Sequence, residues 1–142
     1  MPAVCQLRDA LFEYPENWDI DDDATGEDGH AVVVSPGTGV WQVSQYPVDA
    51  DLESLFDEAL SALRKEYRGM EVSPATDMID GRPLDGFDVT FIYLDLIVTV
   101  WLRGYRSPQS LFLIMCQGED RELEQLGPVF HAISASLMRS AK

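Results

Sequence analysis

Few side chains in this chain are of a type and spacing that could do chemistry. His131 and Ser134 stand three residues apart in a segment with helical patterning, so one helix face would carry a base and a hydroxyl. A nucleophilic pair also needs a third group to orient the base, and the sequence supplies none; the spacing itself is common in helices. The other histidine, His30, follows an acidic stretch at the start of a strand-like run. Cys5 and Cys116 are far apart and form no CxxC, so neither a redox motif nor a zinc site is indicated. Asp95 is the one carboxylate set among apolar neighbours, where a carboxyl pKa rises, although a turn residue is the simpler reading. Asp19 to Gly29 holds six carboxylates and two glycines, which raises calcium as a ligand. The EF-hand register fails: counted from Asp19, Ala24 falls where the glycine belongs and His30 where the bidentate Glu belongs. A solvated acidic loop is the plainer expectation. Gly37-Thr38-Gly39 lacks the Gly-Lys-Ser/Thr ending of a phosphate loop and leads into a strand. These residues give no grounds for naming a catalytic centre, a cofactor or a metal.

A surface is the stronger candidate. Along Leu96 to Leu102 the aliphatic residues Leu96, Val98, Val100 and Leu102 take one face of a strand; Thr99, Trp101, Arg103 and Tyr105 take the other, with Ile92 beside them on the neighbouring strand. Trp, Tyr and Arg combine large area with a hydrogen-bonding tip and dominate interface hot spots. Ile92, Trp101, Arg103 and Tyr105 are therefore the expected protein interface. The competing reading is that a helix covers them and Arg103 extends its head to the rim.

The strand that would carry this face belongs to a run of three. Phe87, Val89, Phe91 and Tyr93 are apolar at odd positions, whereas from Leu96 onward the aliphatic set is even. A flat strand cannot exchange its buried face, so the chain must turn or bulge near Asp95, and a turn is favoured. Leu111 to Cys116 is apolar throughout, as in a strand covered on both faces. Upstream, Ala10–Tyr14, His30–Ser35 and Val40–Tyr46 read as strands, with Trp18 under the sheet edge. Val72–Ile79 contains Pro74 and reads as an edge strand, followed by a turn over Gly81 to Gly86. Two amphipathic helices supply the cover. One is capped by Asp49 and runs to about Tyr67, where Gly69 closes it; the other starts near Glu119, is kinked or restarted by Pro128, and carries Phe130, Ile133 and Leu137.

At 142 residues the chain is expected to be one domain, residues 1-142. Its formal charge of −15, from 25 acidic and 10 basic residues, disfavours nucleic acid and anionic membranes and suits a basic protein partner or simple solubility. No run of 18 apolar residues and no leader-like N-terminus is evident, so membrane insertion is not expected and a cytoplasmic location is.

Phe12-Glu-Tyr-Pro-Glu-Asn-Trp18, Ile79-Asp-Gly81, the apolar strand Leu111 to Cys116 and the closing Pro128-Val-Phe-His-Ala-Ile-Ser-Ala-Ser-Leu137 resemble the PsbP and DcrB-like superfamily over nearly the whole chain. The resemblance implies an α+β fold: an α-β-α sandwich with a central, mainly antiparallel sheet and two helices. It also implies a non-catalytic binding or accessory role, since superfamily members include a photosystem accessory subunit, a nuclear-import factor binding the GTPase Ran, and bacterial chaperones that hold apolar effector segments. By that analogy the expected function is a bacterial cytoplasmic adaptor or chaperone that binds a protein partner or a second copy of itself. No functional residue of the family maps onto a position here. The alternative is a small-ligand or enzymatic site in a pocket between sheet and helix, using Asp95 or His131.

Overall fold

A computed structural model describes residues 1–141. The elements are β1 (Ala3–Gln6), β2 (Leu11–Tyr14), β3 (Asp19–Thr25), β4 (His30–Val34), β5 (Val40–Pro47), α1 (Leu52–Glu66), β6 (Glu71–Ile79), β7 (Arg82–Tyr93), β8 (Leu96–Arg106), β9 (Ser110–Glu119) and, after a single 3₁₀ turn at Asp120–Glu122, α2 (Leu123–Ser140). Seven strands form one sheet in the order β3-β4-β5-β9-β8-β7-β6, with every pair antiparallel. β1 and β2 form a separate two-stranded ribbon.

Alternation along β9 shows how the layers are made. Phe112, Ile114 and Cys116 point into a core shared with Leu126, Phe130, Ile133 and Leu137 of α2 and with Trp41 and Phe12. Leu113 and Met115 point the other way, toward Phe56, Leu60 and Leu63 of α1. The sheet is therefore sandwiched by one helix on each face, and each fully buried large apolar side chain contributes about 1.5–3 kcal/mol. The ribbon lies on the α2 side and is fastened there by two serines one helical turn apart. The Ser136 hydroxyl accepts the Glu13 N–H at 2.9 Å, and the Ser140 hydroxyl accepts the Leu11 N–H at 2.9 Å and donates to the Leu11 carbonyl at 2.5 Å. A helix thus occupies the hydrogen-bonding edge of β2 as a further strand would.

The parity change near Asp95 is a two-residue hairpin: Tyr93 pairs with Leu96, leaving Leu94 and Asp95 as the turn. Pro74 lies in β6 at one edge of the sheet, where a missing N–H need not break a ladder. Trp18 is buried, with its ring edge-on to Phe130 at 6.0 Å.

Several expectations are corrected. The acidic segment Asp19–Thr25 is the edge strand β3, with Ile20 and Ala24 turned inward and its aspartates in solvent; the register shifts between Ile20 and Thr25. An edge strand with one wet face tolerates such composition. The cap of α1 is Asp51, whose carboxylate accepts the N–H groups of Glu53 at 3.1 Å and Ser54 at 3.4 Å, so Asp49 is not the cap. The turn expected over Gly81 to Gly86 is only Asp80-Gly81, because Ile79 already pairs with Arg82. Gly86 lies inside β7, where a Cβ would strike the Leu102 carbonyl. α2 runs on past Pro128, so it is not restarted there, and β1 was not anticipated at all.

Candidate functional site

The register carries Asp77 of β6, Asp88 of β7 and Arg103 of β8 onto the α2 side of the sheet. Arg103 is only 4 % exposed. Its Nε donates to Asp77 at 2.8 Å and one terminal nitrogen donates to Asp88 at 2.7 Å. The other terminal nitrogen donates to the carbonyls of Phe87 at 3.0 Å and Leu102 at 2.9 Å. Every nitrogen of the guanidinium is thereby engaged, and one side chain ties three strands together. Tyr105 is buried too: its ring stacks on Phe112 and its hydroxyl accepts from Arg82 at 2.6 Å. Trp101 is half-buried and meets Phe130 of α2 edge-on, with ring centroids 5.8 Å apart. The face expected at Trp101, Arg103 and Tyr105 is thus largely closed, because Phe130, His131 and Ser134 of α2 reach across this end of β8. Arg103 and Tyr105 act in the interior.

The pocket expected beside His131 is not formed, although a cavity of about 350 Å³ lies between α1 and β7, lined by Glu53, Phe56, Asp57, Asp85, Gly86 and Phe87. The hollow lined by Asp77, Trp101, Arg103, Cys116, His131 and Ser134 measures about 10 Å³, no more than a single water needs. Ser134 is buried and its hydroxyl accepts the Trp41 indole N–H at 2.9 Å, while His131 is exposed, so the i, i+3 pair is not assembled as base and nucleophile. Burial pushes both thiols up, that of Cys116 especially, which keeps them protonated; Cys5 donates to the Thr25 carbonyl at 3.2 Å. Among the described residues, no three His, Cys, Asp or Glu side chains are gathered as a metal would require. A groove of about 560 Å³ between the ribbon and α2 is lined by Tyr14, Pro15, Pro128 and Val129. Nor is any helix among the described residues long and apolar enough to cross a membrane.

Ile92 leads to a different surface. It pairs with Ile97, and next along the same face Thr90 pairs with Thr99 and Asp88 with Trp101. α2 meets this row at Trp101, whose ring lies against the side-chain-free Gly127, and its Leu123 and Leu126 lie over Gly118, the partner of Thr99 on β9. Beyond that point Ile92 is 70 % exposed and Ile97 45 %, and at the tip Tyr93 is 50 % and Leu94 78 %. Tyr93 and Leu94, like Ile97, were missed from the sequence; two hydrophobic residues entering a two-residue turn were the available signal.

The backbone of this tip is unusual. Leu94 and Asp95 have φ of 51° and 64°, and the preceding hairpin repeats the pattern at Asp80 and Gly81 with 54° and 77°. Two positive φ values in a two-residue loop are the type I′ pattern, for which Asn-Gly and Asp-Gly are preferred. One hairpin uses a preferred pair. The other places a leucine, for which the left-handed region is costly, at an exposed hairpin tip.

In sequence, no family model and no curated protein matches the chain. Solved structures do. The chain resembles the cyanobacterial PsbP of Synechocystis at TM-score 0.62 and 11% identity, over 95% of this chain and 90% of that one. It resembles the Ran-binding protein Mog1p of Saccharomyces cerevisiae at TM-score 0.60 and 12% identity, over 99% and 94%. A Pseudomonas aeruginosa protein of unknown function matches at TM-score 0.56 and 12% identity, over 96% and 95%. The chain has the fold that these proteins share, the PsbP/Mog1/DcrB-like α-β-α sandwich.

Proposed function

We propose, from that shared fold and the uncovered hairpin, that this chain is a non-catalytic accessory or adaptor module that binds another protein through the β7–β8 tip. The observation that carries the reading is the exposure of Ile92 and its partner Ile97 on one face, with Leu94 at the hairpin tip, in a chain of charge −15; Tyr93 turns to the other face, where its ring meets Tyr67 edge-on at 5.5 Å. Contiguous exposed apolar surface costs solubility, and in natural proteins it marks sites of association. A strained leucine at its summit fits, since backbone strain gathers where function requires a particular side chain to project. That one protein of this fold is a Ran-binding protein supports the class of function, with the partner left open. Holding an exposed apolar segment of another protein, as a chaperone does, is the finer form of the same reading.

A photo-crosslinking residue at position 94, compared in the native cell with one at Glu58 on the solvent side of α1, tests it. The expected result is a discrete protein adduct at 94 that is missing at 58. An adduct of twice the chain mass would make the partner a second copy. Identical patterns at both positions, or none at 94, refute the proposal.

A further inference from the structure

On the reading that this tip is the binding surface, the charges around the hairpin narrow the partner's chemistry. Glu71 of β6 pairs with Thr90 and is exposed beside the row. Asp95 is exposed in the turn. Glu124 lies on α2 one turn before Gly127, the residue against Trp101, and is exposed as well. None of these three carboxylates forms an ion pair among the described residues. Arg121, three residues before Glu124, is engaged by Glu119 at 2.9 Å, and Arg103 is sealed inside; Arg68, three residues before Glu71, is exposed. The exposed pair Ile92 and Ile97, with Thr90, Thr99 and Trp101 next along the same face, is therefore neighboured by three carboxylates that form no ion pair among the described residues.

The adjacent sheet edge is ill suited to receiving a strand, because Pro74 removes a donor there and Glu71, Ser73 and Asp77 line it. The open sheet face beyond the end of α2 suits a helix better, as α2 covers the same face further along. We infer that the surface receives a basic amphipathic helix of a partner protein, its aliphatic stripe on Ile92, Ile97 and Trp101 and its Lys or Arg residues against Glu71, Asp95 and Glu124. A second copy is the weaker fit, since two chains of −15 repel each other.

The test uses three synthetic 18-residue peptides: a helix-forming Leu/Lys amphipath, its Leu/Glu twin, and a Leu/Lys scramble without a stripe. Affinity is read by calorimetry on the intact chain, with sedimentation recording its own oligomeric state. The Leu/Lys helix should bind at least about tenfold more tightly than either control, and Ile92→Ser with Ile97→Ser should weaken it by about tenfold. Glu71→Lys with Glu124→Lys should weaken it several-fold more than the equal charge change Glu53→Lys with Glu58→Lys on α1. If both charge pairs act alike, attraction is merely global and the inference fails. It fails too if the Leu/Glu twin binds equally well, or if the chain dimerises through the strip and excludes all three peptides. A protein crosslinked at position 94 but no preference for the basic helix would leave the function standing and remove only this partner chemistry; loss of both removes both.

Discussion

Replacing Leu94-Asp95 by Asn-Gly should make the protein more stable and less able to bind. The turn already has the geometry that Asn-Gly prefers, with φ of 51° and 64°, so no rearrangement is needed. A left-handed conformation costs a side chain with a Cβ roughly 1–2 kcal/mol, nearly all of it at Leu94, because aspartate tolerates the region. Leu94 is 78 % exposed, so its removal gives up little burial. The net gain is about 1–2 kcal/mol, and for a domain of this length Tm should rise by roughly 3–8 °C. Urea unfolding should show the midpoint moving up at unchanged m, and Asp95→Gly alone should deliver the smaller part. The same double variant should hold the Leu/Lys peptide less tightly. An unchanged or lower midpoint would show that Leu94 makes a stabilising contribution in the fold, and the case for a functional leucine at the tip would collapse.

Two further outcomes concern the interior and the loops. Arg103→Leu should cost about 2–4 kcal/mol in chemical denaturation, somewhat under a fully buried pair because the Asp77 and Asp88 side chains keep 30% and 38% of their exposure; adding Asp77→Asn and Asp88→Asn should restore part of it, and a loss below about 1 kcal/mol would refute the tie across three strands. Glu122 accepts hydrogen bonds from the Thr38 hydroxyl and N–H, which hold its carboxyl below the usual range. A depressed folded pKa gives stability that is present above the unfolded value and lost as pH falls through the folded one, so the Tm gap to Glu122→Gln should be full at neutral pH and close from about pH 5 downward; a gap that stays constant to pH 3 would contradict this.

The sheet was legible where side-chain parity recorded it. Oily residues change from odd to even places across Leu94-Asp95, and only a reversal of the chain satisfies both halves. The helices were legible for the same reason, since the stripe Phe56, Leu60 and Leu63 has no other use than cover. β3 was not, because its inward residues are only Ile20 and Ala24 and its aspartates carry the composition of a loop. The candidate surface was half legible. Parity placed Ile92, Trp101, Arg103 and Tyr105 on one face correctly, but how far α2 reaches along that face depends on tertiary packing, and it closes over Arg103 and Tyr105 while leaving Ile92 bare. Arg103 misled for a definite reason: its two aspartates are 26 and 15 residues away in sequence, so nothing local marks it as a structural cation.

The serine fastening has a consequence for how the molecule is made. Glu13 and Leu11 find their hydroxyl partners 123 and 129 residues downstream. On the ribosome, the ribbon is therefore born with a bare edge and with Phe12 unburied, and it must wait for the intervening strands and α1 to emerge before the last turns of α2 can close over it. Closure of the ribbon cannot precede synthesis of α2, and until then the ribbon's edge and Phe12 stay open to contact with other cellular factors.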